Sequence, residues 1–181
     1  NMWRITDDFF FFFGLLLAMF ERLDVWTPYR APGHFPDADM LPIGIVDFKR
    51  PTNFTKNEQY TLMSLWAIGR SPLIFVFVMT KLDDFTKEML TNPEMLKVNQ
   101  LSTNNRQVSR DKNLIVWTAD VPNSKDKYVA LFNAQSKGDN IDFNNADYAS
   151  PLIAGKGSSQ KVEVSVKDGK KLVLFVKDGG N

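Results

Sequence analysis

Seven residues in the first forty have types and spacing suited to chemistry: Trp3, Arg4, Asp7, Asp8, His34, Asp37 and Asp39. Paired carboxylates among aromatics suit glycoside hydrolysis, in which one acid protonates the leaving oxygen and another attacks or stabilises the sugar. Asp7 and Asp8 also read as caps of the following helix, stabilising its N-terminal dipole. Spacing alone favours the cap. His34 is the single histidine, so a histidine-clustered metal site is out, and in its Pro/Gly loop it reads as a hydrogen-bonded structural residue. Asn53-Phe54-Thr55 matches a glycosylation acceptor but overlaps a helix cap.

The elements that must position these groups follow from patterning. "NMWRIT" is a strand closed by Asp8, and Leu15 to Arg22 continues as helix. The segment "TPYRAPGHFPDADMLPIG" is a structured loop around a short strand near "DMLPIG", opened by Asp37 and Asp39. Thr55 and Glu58 form a capping box, and Leu62, Leu65, Trp66 and Gly69 then share one helix face as core packing. "SPLIFVFVM" reads as a strand buried on both faces of a parallel sheet. "DDFTKEML" is a helix with a solvated Lys/Glu face, and "TNPEMLKVNQ" a shorter one capped by Asn92 with Pro93 first. From about Leu101 the texture becomes antiparallel β. "NLIVWTADV" and "KYVALFNAQ" are joined by the turn-rich "PNSKD", and Val162, Val164 and Val166 turn through Asp168-Gly169 into Leu172, Leu174 and Val176. The fold class is therefore α/β then all-β, with a boundary at 100/101.

Composition narrows the partners. The 181 residues carry 44% hydrophobic and 24% charged side chains, with a net charge of +1, which gives no reason to expect nucleic acid or an anionic membrane. Cysteine is absent, which excludes disulfides and thiolate metal sites. The apolar run Phe9 to Phe20 is too short to span a bilayer as a helix. Its five consecutive phenylalanines combine strand propensity with no charge, an aggregation hazard.

Four motifs in order, "WRITDD", "GHFPDADMLPIG", "FTKNEQYTLMSLWAIGRSPLIF" and "LTNPEMLKVNQ", resemble the second half of the barrel in melibiase-type α-galactosidases, glycoside hydrolase family 27. The resemblance covers residues 2 to 135. It implies a partial (β/α)8 TIM barrel, its last three β/α units in residues 1–100, followed by an antiparallel β-sandwich region in 101–181. It implies Asp8 as general acid/base, with Trp3, Arg4, Asp39 and Met40 binding a galactoside or oligosaccharide substrate. No metal or redox cofactor is needed by that chemistry. The implied partner is the rest of the catalytic barrel, and the implied location periplasmic or secreted.

The implied reaction is retaining: a carboxylate nucleophile forms a glycosyl-enzyme while Asp8 acts first as acid, then as base, the two carboxyl groups standing about 5–5.5 Å apart. Such a role is helped by burial among aromatics and opposed by a neighbouring arginine. The family's nucleophile lies on a strand in a Lys-x-Asp context that has no counterpart here, so the chain reads as a fragment, inactive alone. Phe10 to Phe13, and Val76, Phe77 and Val78, stand where smaller or polar residues are expected and would crowd the pocket. The tail, "SPLIAGKG" and "KKLVLFVKDGGN", resembles the start of a carbohydrate-binding-type module, or equally strands of the family's own sandwich. The alternatives are a β-L-arabinopyranosidase of the same family, or an inactive carbohydrate-binding or interaction fragment.

Overall fold

The chain opens with a short strand, β1 (Met2–Arg4), followed by helix α1 (Phe13–Trp26) and strand β2 (Phe35–Asp37). The computed structural model describes residues 1–10, 13–46, 50–76, 79–111, 114–134, 150–151, 156–165 and 171–179. β1 and β2 pair in parallel, with Met2 opposite Phe35 and Arg4 opposite Asp37. Parallel strands require a crossover, and α1 provides it. Phe13, Leu16, Met19, Phe20 and Leu23 recur at helical spacing and are its buried residues. The apolar run is thus largely a core helix, longer at both ends than Leu15 to Arg22. Among the described residues no helix is long and apolar enough to cross a membrane.

A short antiparallel pair, β3 (Ile45–Val46) and β4 (Arg50–Pro51), precedes helix α2 (Lys56–Gly69). The capping box is present: the Glu58 amide donates to the Thr55 hydroxyl at 3.3 Å, and the Thr55 amide to the Glu58 carboxylate at 2.7 Å. Leu62, Leu65, Trp66 and Gly69 are all buried. Gly69 lets α1 approach closely, because a Cβ there would stand 3.0 Å from Leu23 Cδ1. The helix ends at Arg70, left-handed at φ 54°. Its guanidinium donates to the carbonyls of Asn99, Gln100 and Ser102, which holds a backbone that glycine adopts more readily.

The segment "SPLIFVFVM" does not form the doubly buried strand its composition predicts. One parallel bridge joins Phe75 to Leu41, and Ile74 and Phe75 remain 39% and 37% exposed. Its apolar character outruns its cover: among the described residues Leu41 is its bridging partner. Phe77 and Val78 lie outside the described residues, as do Phe11 and Phe12. Helices α3 (Asp84–Thr91) and α4 (Pro93–Leu101) follow, capped by Asp83 and Asn92 through side-chain bonds to the amides of Thr86, Glu94 and Met95.

Strands β5 (Thr103–Asp111), β6 (Leu114–Asp120), β7 (Lys127–Asn133) and β8 (Ser150–Pro151) form an antiparallel sheet in chain order. β9 (Lys156–Ser165) and β10 (Lys171–Gly179) form a separate antiparallel pair, with Val164 opposite Leu172 and Val162 opposite Leu174. Val166 and the Asp168-Gly169 turn lie outside the described residues. The helices pack on the four-stranded sheet: the Phe20 and Phe132 rings meet edge-on at 4.9 Å, and Trp66 and Trp117 are fully buried in the same core.

Candidate functional site

Two acidic residues and an arginine meet at the carboxyl end of the β1–β2 pair. The last rung of the ladder is Arg4 opposite Asp37, and the Ile5 amide donates to the Asp37 carbonyl at 3.0 Å. Asp37 therefore closes β2 rather than opening a strand, and Asp39 lies two residues beyond. Asp8 does not close β1 either. The chain bends at Thr6–Asp7, which carries Asp8 past the strand end and back toward Arg4. α1 starts at Phe13 with no acidic residue in its first turn, so Asp7 and Asp8 are not its caps.

Arg4 bridges two carboxylates. Its Nη2 stands 3.3 Å from Asp8 Oδ1 and 3.0 Å from Asp39 Oδ2. The two partners differ sharply in exposure, 73% for the Asp8 side chain and 3% for that of Asp39. Asp39 is held from several directions. Its Oδ2 accepts the buried Phe9 amide at 2.6 Å, its own amide donates to Asp37 Oδ1 at 2.9 Å, and its carbonyl accepts the Trp66 indole N–H at 2.8 Å. Its φ of 76° is left-handed, a conformation in which Asp is among the better tolerated non-glycine residues. The Ser71 hydroxyl fixes the intervening Ala38 amide at 3.0 Å.

Asp37 is buried. Burial raises its carboxyl above the usual range, and the Asp39 charge adds to this against the opposing Asp39 amide and Arg4. Asp8 has Arg4 beside it, and its side chain is 73% exposed rather than enclosed among the described residues. Phe9 is instead buried between Phe54 and Trp66, at 6.1 and 5.2 Å between ring centroids, and Phe10 is exposed.

The structure thus brings Arg4, Asp8 and Asp39 together, with exposed Met40 next in the chain. It does not bring Trp3 to them. Successive strand residues face opposite sides, and the Trp3 ring packs edge-on against Trp26 at 6.2 Å, beside the end of α1. His34 is exposed, and its backbone closes a small turn with Ala31. Asn53 is exposed, while the Thr55 hydroxyl of the same triplet is engaged in the helix cap. Ser71 and the Trp66 indole N–H were not foreseen as parts of the site. Both lie about thirty residues from their partners, and periodicity marks Trp66 only as core. Among the described residues no group of three or more His, Asp or Glu converges as a metal would need.

Residues 1–101 match the family described as alpha galactosidase A (Melibiase_2). The alpha-galactosidase of Oryza sativa subsp. japonica is 31% identical over 138 residues, covering 75% of this chain and 31% of the relative. Alpha-galactosidase 2 of Arabidopsis thaliana is 32% identical over 144 residues, covering 78% of this chain and 34% of the relative. Among solved structures, the GH27 β-L-arabinopyranosidase of Geobacillus stearothermophilus superposes with a TM-score of 0.72 at 43% identity, covering 75% of this chain and 33% of that one. The chain spans about a third of the length of these relatives.

Proposed function

We propose, for a chain that belongs to the Melibiase_2 (alpha galactosidase A) family of glycoside hydrolases, that it is the segment of a retaining enzyme, cleaving terminal α-galactosides, that holds the C-terminal part of the barrel and the sandwich region after it. Residues 1–100 are the last three β/α units of its barrel and 101–181 an antiparallel sandwich region, the final third resembling the start of a carbohydrate-binding-type module. The sequential parallel order, β1 to β2 and then Leu41 to Phe75, supports the barrel reading. Placement of Arg4, Asp37 and Asp39 at strand carboxyl ends supports a catalytic face, where barrel enzymes keep their chemistry.

The observation that carries this reading is the double contact of Arg4 with Asp8 and Asp39. Asp39, locked by three hydrogen bonds, is a preorganised acceptor for sugar hydroxyls, and preorganisation is what makes such a group effective. Arg4 offers donors to the same sugar, and Met40 gives an apolar wall. Asp8, exposed and orientable by Arg4, protonates the leaving oxygen and then takes a proton from the attacking water. Trp3 seats β1 against the end of α1 through its edge-on contact with Trp26.

The nucleophile belongs to the part of the parent outside these residues. Lys81-Leu82-Asp83 has the expected letters, but Lys81 ends a 3-10 turn and Asp83 caps α3; Lys137-Gly138-Asp139 has them too and lies outside the described residues. Hydrogen bonding from Thr86, whose amide donates to Asp83 Oδ1 at 2.7 Å, holds the Asp83 carboxyl below its usual range. The 181-residue chain alone should therefore leave 4-nitrophenyl α-galactopyranoside intact. Turnover that disappears in Asp8→Asn would overturn this assignment.

A second reading has its own support, the 43% identity to a β-L-arabinopyranosidase. The ratio of kcat/KM for aryl β-L-arabinopyranoside and aryl α-galactoside in the parent enzyme separates the two. A parent that turns over neither sugar would favour a carbohydrate-binding or interaction role.

A further inference from the structure

A cavity of about 310 Å3 opens between the end of α1, the 3-10 turn Thr27–Tyr29 and strand β5. Its walls include Asp24, Arg30, Asn104, Asn105 and Arg106. The turn feeds the N-terminal end of β2, whereas Arg4, Asp37 and Asp39 lie at the carboxyl end. We propose that this cleft is a saccharide-binding site in its own right, recognising sugar hydroxyls through the Arg30, Arg106 and Asp24 side chains. The proposal stands independently of the glycosidase reading.

The wall is built rather than incidental. Arg30 is held by Asn105 Oδ1 at 2.7 Å, and Asn105 is itself tied to the Ile68 carbonyl and the Ser102 hydroxyl at 2.7 Å each. Asp24 is held from the same strand by the Gln107 amide at 3.2 Å. Both charged groups are therefore oriented by amide side chains of β5. Arg30 Nε is buried with no hydrogen-bond partner among the described residues, an arrangement that costs free energy. Burial, then the nearby Arg70 charge, lowers the Arg30 guanidinium to about 10, consistent with a cation short of acceptors.

The mixture of groups decides the ligand class. Two guanidinium groups alone would suit a phosphate or carboxylate. Asp24 in the same wall repels an anion and offers an acceptor, and a sugar hydroxyl both donates and accepts. The volume lies at the lower end of small-ligand pockets, roughly 300–1,000 Å3.

The test is a titration of the 181-residue chain with raffinose, and separately with sodium phosphate, read by the amide shifts of Asn104 to Gln107. Raffinose should move these amides saturably. Asp24→Asn and Arg106→Ala, neither of which touches the core, should each weaken the response at least tenfold. Asp39→Asn should leave it unchanged, which separates this cleft from the Arg4–Asp8–Asp39 cluster. Phosphate moving the amides in place of raffinose, or binding that tightens in Asp24→Asn, would overturn the proposal in favour of an anion site. Silence of these amides toward raffinose would also overturn it.

Discussion

Replacing Asp39 separates the forces that hold the candidate site. In Asp39→Ala the buried Phe9 amide, now 2.6 Å from Oδ2, loses its acceptor, at a cost of about 1–3 kcal/mol. The left-handed backbone at φ 76° adds about 1 kcal/mol for a residue with a Cβ and no local hydrogen bond. The ion pair to Arg4 contributes less, under about 1 kcal/mol, because solvent reaches the half-exposed arginine. The sum is about 3 kcal/mol. Asp39→Gly removes the strain but leaves the orphaned amide, so about 2 kcal/mol is expected. Asp39→Asn keeps an acceptor and tolerates the backbone, leaving a cost of about 1 kcal/mol. Urea unfolding at pH 7, followed by far-UV circular dichroism, ranks the three variants. Equal losses in all three, or a greater loss in Asn than in Ala, would refute the hydrogen-bond reasoning.

Three further outcomes follow from the geometry. The raised folded pKa of Asp37 means that the folded state binds its proton more tightly than the unfolded chain. Its contribution is full below the unfolded value and lost as pH rises through the folded one. Asp37→Asn should therefore remove that decline from a stability–pH profile, and an unchanged profile would contradict the assignment. Gly69→Ala sets a Cβ 3.0 Å from the fully buried Leu23; overpacking should outweigh the gain in helix propensity and lower stability by about 1 kcal/mol, read as a fall in Tm. Trp66→Phe strips the 2.8 Å bond from the Asp39 carbonyl, leaving a buried acceptor unpaired at a cost of about 1–3 kcal/mol, measured by the same urea titration.

Local chemistry was legible in the sequence where it acts within a few residues. The Thr55–Glu58 box, the Asn92–Pro93 start and the Leu62–Trp66 face each depend on neighbours along one helix, and all appear as expected. The antiparallel strands β6 and β7 were equally plain, because their apolar content is high. β5 was not, since "TNNRQVSRD" pairs through its backbone while carrying mostly polar side chains. The site was legible as residue types but not as geometry. Strand alternation sends Arg4 to Asp39 and Trp3 to Trp26, and a strand of three residues carries no periodic signal to phase it. The positions of Asp8 and Asp37 relative to the strand ends depend on parallel register, which is set by partners about thirty residues away. The hold of Trp66 and Ser71 on residues 38 and 39 is likewise long-range.

Asp8 is the proposed acid/base of a retaining reaction. The direct measurement is hydrolysis of 4-nitrophenyl α-galactopyranoside by the parent enzyme and its Asp8→Ala variant, with and without azide. The variant should lose on the order of 10²–10⁴-fold in turnover. Azide should restore release of the phenol and yield α-galactosyl azide, because a small anion can attack the glycosyl-enzyme without a general base. An Asp8→Ala enzyme with undiminished turnover, or one whose azide product has the β configuration, would contradict the account.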